Sequence, residues 1–206
     1  NTKNGSIKAD RIVLACNGYL ENLEKSLTSK ILPMNNYIVA TKPLDDETVQ
    51  KINPKDIAFA DSRFVINYFR MSADKRLLFG GGENYSQELS KNIVPIVTRP
   101  LEKIYPFLKG IKIDYAWGGK LAITMNRLPF FASLHNEKVI SAQGYSGQGV
   151  ALASYSGKIV SEKITGTGEV FDIMSKIPRP SFPGGRFLRN PSMKIGMLYY
   201  SLLDRI

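Results

Sequence analysis

The sequence predicts an α+β chain of two interleaved domains, and three stretches predict it. Residues 11–16, Arg-Ile-Val-Leu-Ala-Cys, form a short continuous apolar run closed by Asn17-Gly18. Such a run suits a strand buried on both faces of a parallel sheet covered by helices. Residues 64–70 and 76–80 are β-rich runs joined by Ser72-Ala73-Asp74-Lys75, which supplies turn chemistry. Antiparallel neighbours joined this way imply a second sheet, distinct from the first. Residues 138–143, a glycine loop and residues 150–165 then read as strand, loop and helix, back in the first layer.

The intervening elements follow in order. A helix is expected over residues 20–27 and a strand over 37–41, stopped by Pro43. Gly80-Gly81-Gly82 should end the antiparallel pair. Apolar positions at helical spacing predict a helix over 93–107, broken by Pro106 and Gly110. Residues 111–117 read as a strand, after which Gly118-Gly119 lets the backbone turn or approach a ligand. Gly166 is a good C-cap for the helix before it. The proline-bearing residues 178–191 read as an extended arm, and 193–205 as a short closing helix. There is no internal repeat.

Composition narrows the function classes. With 206 residues, 43% hydrophobic and 22% charged, the chain reads as an ordinary globular protein. No apolar run reaches the roughly 18–20 residues of a membrane span, so no membrane partner is expected. The sequence opens at Asn1, residues 1–9 are polar, and no secretory signal is visible. One cysteine, Cys16, rules out an intrachain disulfide and points to a reducing cytoplasm; at the end of an apolar run it reads as a small buried hydrophobe. The net charge of +10 raises nucleic acid as a partner, but Lys and Arg are scattered and no zinc-ligand spacing occurs. Nucleic-acid binding is therefore not expected.

The glycine loop carries the chemistry. In Gly144-Tyr145-Ser146-Gly147-Gln148-Gly149-Val150 three glycines let the backbone come close to a flat or charged group without Cβ interference. The loop runs into a helix N-terminus, whose unpaired N–H groups carry about half a positive charge. A phosphate is stabilised there, and so is the electron-rich edge of a reduced flavin. Tight strand-to-helix packing alone would also use these glycines. The order G-x-x-G-x-G, with Leu152 where a further glycine is needed, is not the dinucleotide fingerprint G-x-G-x-x-G, and residues 80–82 do not open directly into a helical pattern.

This loop resembles the late flavin-contacting loop of the D-amino-acid oxidase and glycine oxidase superfamily, nearest the gamma-glutamylputrescine oxidoreductase branch. Three further blocks carry the resemblance in the right order: NYFRMSADKRLLFGGG (67–82), KGIKIDYAWGGKLAITMNRLPFF (109–131) and FPGGRFLRNPSMKIGMLYYSLLDRI (182–206). It implies FAD as cofactor, oxidation of an amine C–N bond by hydride transfer, and an amine of the gamma-glutamylputrescine kind as substrate. It further implies that the fold is an antiparallel substrate-domain sheet with helices plus the C-terminal pieces of a Rossmann-like FAD-binding domain. Residues 1–32 would be a fragment of that domain, 33–120 the substrate domain, 121–177 the return to the FAD-binding domain, and 178–206 a closing arm and helix. The half bearing G-x-G-x-x-G is absent from this sequence, so binding of FAD by the chain alone is expected to be weak. A separate N-terminal FAD-binding chain becomes a candidate partner, and a non-catalytic subunit or inactive fragment the alternative reading.

By the same resemblance Asn17 and Gly18 lie beside the cofactor, and Gly144, Tyr145, Ser146, Gly147, Gln148, Gly149 and Val150 reach its ring. The family commonly has His where Gln148 stands; Gln donates a hydrogen bond but cannot titrate. Amino-acid oxidases place an Arg a few residues after the Trp-x-Gly turn, and here that position is Leu121, with Lys120 beside it. Losing that bidentate clamp argues against an α-amino-acid substrate. Candidate catalytic residues are Tyr68 and Arg70, which alternate onto one strand face, with Tyr68 orienting the amine and Arg70 meeting a remote carboxylate, and Lys120, whose charge could activate oxygen. Trp117 reads as core, and His135, the only histidine, as an inert loop residue.

Overall fold

A computed structural model describes the chain except residues 64–65, 85–87, 186–187, 189–190, 193, 197–198 and 200–206. In chain order the strands are β1 (Ile12–Leu14), β2 (Leu32–Thr41), β3 (Phe59–Ala60), β4 (Tyr68–Met71), β5 (Leu77–Asn84), β6 (Ile113–Ile123), β7 (Phe130–Leu134) and β8 (Val139–Gln143). The α-helices are α1 (Lys25–Thr28), α2 (Asp46–Ile52), α3 (Val94–Ile104), α4 (Gly149–Thr165) and α5 (Glu169–Lys176). The fold is α+β, with its main sheet antiparallel.

The chain divides into two compact units: residues 1–33 with 121–189, and residues 34–120 with 190–206. In the first, β1 pairs parallel with β8, and β8 antiparallel with β7, giving the order β1-β8-β7. One face of this sheet packs Phe131, Ile140 and Ala142 onto Ile159, Val160 and Phe171 of α4 and α5. The other packs Leu14 and Phe130 against Leu20, Leu27 and Ile31. Side chains alternate between faces along a strand, so β8 serves both cores.

In the second unit the order β3-β4-β5-β2-β6 forms a five-stranded sheet. Tyr37, Val39, Met71, Leu77 and Phe79 on one face bury against Val97 and Leu101 of α3. Phe69 stacks between Phe59 and Phe79, with ring centroids 5.1 and 5.4 Å away. Arg76 fastens the sheet, donating to Asp114 Oδ2 at 2.6 Å and to the Thr41 carbonyl at 2.9 Å.

Several elements differ from the sequence expectations, each for a physical reason. The run at 11–16 forms only the three residues of β1, and Ile12 and Val13 are 54% and 44% exposed rather than buried on both faces, because β1 is the outer strand of its sheet. Instead of a helix over 20–27 there is a 3-10 turn at Asn17–Tyr19 and the short α1. Glu21, at φ 48°, cannot lie in a helix, and Glu24 accepts from the Ser26 amide to start α1 afresh. β2 begins five residues before Tyr37.

The glycines at 80–82 do not end β5, nor do Gly118-Gly119 turn the chain. Both strands run through them, because neighbours need the space that a Cβ would take. A Cβ on Gly80 would stand 2.1 Å from the Tyr68 ring, and one on Gly118 2.5 Å from Tyr37. α3 stops at Ile104, carrying Pro100 inside, and Pro106–Leu108 form a 3-10 turn. The arm is not extended throughout: Gly185, Leu188, Pro191 and Ser192 are helical. Of the expected closing helix, residues 194–196 and 199 are helical, and the remainder lies outside the described residues. The first part of the expected 64–70 strand, residues 64–65, also lies outside them.

Candidate functional site

The candidate site is built where β8 hands over to α4. Gly144 takes φ +76° and Gly147 φ +95°, with Ser146 between them in the left-handed region at φ 52°. The chain therefore turns sharply out of the sheet, a geometry that glycine adopts without steric cost. Two side chains anchor the turn from within. Tyr145, 9% exposed, donates its hydroxyl to the Ala142 carbonyl at 3.1 Å. The Ser146 amide donates to the Ala122 carbonyl at 2.9 Å, and its hydroxyl accepts from the Thr124 amide at 3.2 Å. A Cβ on Gly144 would meet Thr124 Cγ2 at 2.7 Å, so this close packing also demands glycine.

Beyond the anchor the loop opens. Gly147 and Gln148 are exposed and Val150 is 99% exposed. No side chain caps α4 and no acidic residue stands in its first turn. Among the described residues no backbone acceptor meets the amides of Gly149, Val150 and Ala151; the first amide taken up is that of Leu152, by the Gln148 carbonyl at 3.1 Å. A row of bare donors at the positive end of a seventeen-residue helix is therefore presented, with Val150 as its apolar companion.

The other predicted segment arrives at the same place. Asn17, in the left-handed conformation at φ 47°, accepts the Gly144 amide on its side-chain oxygen at 3.1 Å. Gly18 beside it is buried in the 3-10 turn. Asn17, Gly18 and residues 144–150 are thus joined, with Tyr145 and Ser146 turned inward. Cys16 is half-buried and packs against the Leu14–Leu27 core.

Tyr68, Arg70 and Trp117 come together elsewhere, on the second unit's sheet. With Ile38, Phe59 and Leu78 they line a cavity of about 190 Å³. The Tyr68 hydroxyl donates to Asn36 Oδ1, and the ring lies over the Gly80 backbone. Trp117 is 45% exposed, so it is a cavity wall rather than core. Lys120, in the same strand, is not among the residues lining that cavity. His135, read as an inert loop residue, places its Nε2 2.9 Å from Glu24 Oε2.

Two residues were not singled out from sequence. Asn36 fixes the Tyr68 hydroxyl, and nothing in its Asn-Asn context marks that partnership. Gln143, last in β8, is 0% exposed, and neither amide atom has a partner among the described residues. A polar residue closing a buried apolar strand next to the glycine loop was the available signal.

Comparison with known proteins supplies the family. Residues 1–163 match the family described as FAD dependent oxidoreductase, DAO. The chain belongs to the FAD-dependent oxidoreductase family. It is 35% identical over its whole length to gamma-glutamylputrescine oxidoreductase of Escherichia coli (strain K12), covering 48% of that protein. It is 40% identical over 99% of its length to the probable oxidoreductase OrdL of Rhizobium meliloti (strain 1021), covering 47%. The chain thus spans about half the length of the curated relatives it matches. Among solved structures, L-proline dehydrogenase from P. horikoshii aligns over 79% of this chain and 44% of its own at TM-score 0.61 and 24% identity. Glycine oxidase from Geobacillus kaustophilus aligns over 78% and 42% at 0.57 and 18%. These two show the shared fold.

The residues fit the family's cofactor. A flavin ring carries carbonyl and nitrogen acceptors along one edge, and the bare amides of residues 149–151 are donors without an acidic competitor. A Cβ at Gly147 would meet nothing within 4 Å, so the loop's outer side is open. The orphaned amide of Gln143 adds a buried donor and acceptor beneath the turn. Leaving such groups unpaired costs about 1–3 kcal/mol each, so a polar partner there is favoured. Among the described residues no group of acidic, His or Cys side chains is placed to hold a metal, and no helix is long and apolar enough to cross a membrane.

Proposed function

We propose that this chain supplies the ring-side loop and the substrate sheet of a flavin-dependent amine oxidoreductase acting on an amine of the gamma-glutamylputrescine kind. In this reading residues 1–32 and 121–177 belong to the flavin-binding part, 33–120 to the substrate part, and 178–206 form the closing arm and helix. The observation that carries it is the bond from the Gly144 amide to Asn17, which brings two segments 127 residues apart together beside the unpaired amides of α4. When bound, FAD would supply the oxidation itself, accepting a hydride from the carbon beside the amine nitrogen so that the C–N single bond becomes an imine. The chain's own part is orientation: Gly149, Val150 and Ala151 donate to the ring's electron-rich edge, and Gln148 adds a neutral side-chain donor in place of a titrating group. Tyr68, held by Asn36, lines the amine's cavity, and Lys120 offers a positive charge to the oxygen-reacting side. The lone Cys16 suits a reducing cytoplasm.

The pyrophosphate of the dinucleotide needs a nucleotide-binding portion bearing G-x-G-x-x-G, from the same polypeptide or a separate chain. The test is purification of these 206 residues alone and together with such a portion. Alone they should stay colourless; together they should carry one flavin and release peroxide when gamma-glutamylputrescine is added. A stoichiometrically yellow sample of the 206 residues alone contradicts the need for the second portion. Flavin bound in the pair without turnover of any amine points to a non-catalytic subunit.

A further inference from the structure

We infer that the outer edge of β7 is a docking groove for an acidic peptide, taken up in extended form as an additional strand. The groove is a cavity of about 310 Å³ whose lining lies wholly within the first unit, and all five residues of β7 line it. Those residues belong to opposite faces of the sheet: Phe130 packs into the Leu14–Leu27 core and Phe131 against α4 and α5. A cavity on one face would meet only alternate residues, so this one runs along the strand's edge. β7 stands at the end of the order β1-β8-β7, and every second residue of an end strand turns its amide and carbonyl away from the sheet. Its sequence, Phe-Phe-Ala-Ser-Leu, carries neither charge nor proline, the usual guards of a strand edge.

The charge around the groove sets the partner's chemistry. Lys30 Nζ and Arg179 Cζ lie 5.8 and 5.3 Å from the centroid of the same Phe130 ring, and no Asp or Glu lines the groove. Arg179 is held by backbone carbonyls, Nη1 donating to Ser175 at 3.0 Å and Nη2 to Pro129 at 3.4 Å, so its charge meets dipoles rather than a counter-ion. Two cations in such a setting favour a segment that brings carboxylates. They also oppose a second copy of this chain, because pairing two β7 edges would set like charges against each other in a protein of net charge +10. The occupant is therefore a different polypeptide. Its backbone extends the ladder of β7, its carboxylates meet Lys30 and Arg179, and its apolar side chains meet Leu27 and Ile177 of the lining.

The test titrates the full chain into a fluorescein-labelled pentapeptide of alternating glutamate and valine, with anisotropy read at fixed ionic strength. This peptide should bind at least about tenfold more tightly than its lysine–valine counterpart. Lys30→Glu replaces attraction by repulsion and should weaken the acidic peptide about tenfold, and Lys30→Met by a smaller factor. Arg179 is left in place because it holds the end of α5. N-methylation separates strand pairing from charge alone, since a strand offers only alternate amides to its neighbour. Methyl groups on both valines, or on the second and third glutamates, should abolish binding in one peptide and spare the other. Circular dichroism establishes that each variant is folded. Equal loss or equal retention by the two methylated peptides overturns the inference, as does undiminished binding to Lys30→Glu or no binding at all. A dimer of the chain that the peptide dissociates, seen by sedimentation, assigns the edge to a second copy and overturns it too. No flavin enters the experiment, so every outcome leaves the cofactor reading to its own test.

Discussion

Asn17 shows how much a single residue can set. Its backbone must take a left-handed turn where β1 ends, a conformation Asn tolerates better than most residues, and its side chain must accept the Gly144 amide. Asn17→Ala loses both and is expected to destabilise the chain by about 1–3 kcal/mol, seen as a melting temperature lower by roughly 2–10 °C. Asn17→Asp keeps an acceptor and left-handed tolerance and should lie closer to the native value. Gly80→Ala tests another single-residue constraint, since its methyl group would have to share space with the Tyr68 ring. It should cost about 1–3 kcal/mol by overpacking and release Tyr68 from Asn36, which chemical denaturation and the accessibility of that tyrosine would both register. At this scale the sequence was partly legible. Asn-Gly closing an apolar run and glycines flanking a strand end marked the two segments that the Asn17–Gly144 hydrogen bond joins. The inward turn of Tyr145 and Ser146 was not visible, because it depends on the sign of φ at Gly144 and Ser146 rather than on residue type.

At the scale of elements, the segment around α1 behaves as a small electrostatic device. Glu24 begins the helix by accepting from the Ser26 amide and hydroxyl, and it also holds His135 of the β7–β8 turn. The Ser26 bonds first, then His135, hold its carboxyl down from an ordinary 4.5 to about 2. A folded-state pKa below the unfolded one gives stability that is fully present above the unfolded value and lost as pH falls through the folded one. Glu24→Gln should therefore unfold more readily than the native chain at pH 6, with the difference shrinking between about pH 4.5 and 2. Denaturant midpoints across that range measure it, and a difference independent of pH contradicts the assignment. The expected helix over 20–27 did not form because apolar spacing carries no information about Glu21 leaving helical space. Likewise glycine-rich stretches read as strand ends from composition, whereas Gly80 and Gly118 are interior positions demanded by tyrosine rings across the sheet. Such demands are tertiary and leave no local mark.

For the molecule as a whole, the α+β class and the family were legible because several separated blocks agreed in order. The glycine loop alone left flavin, phosphate and mere packing open. What composition could not give was the location of Trp117: it shares a cavity with Tyr68 and Arg70 rather than filling a core, since tryptophan suits either setting.

The central claim is that the amino end of α4 meets the electron-rich edge of a flavin, and Val150 offers its most direct measurement. Its side chain is 99% exposed at an uncapped helix start, so Val150→Glu removes no packing. The new carboxylate should interact favourably with the helix dipole by about 0.3–1 kcal/mol, leaving the melting temperature unchanged or slightly raised. The same carboxylate would stand in the flavin's way and repel it. In protein reconstituted with the nucleotide-binding portion, flavin affinity measured by absorbance titration should fall at least about tenfold, equivalent to about 1.4 kcal/mol. A Val150→Glu protein that is equally stable and binds flavin as tightly as the native one would contradict the account.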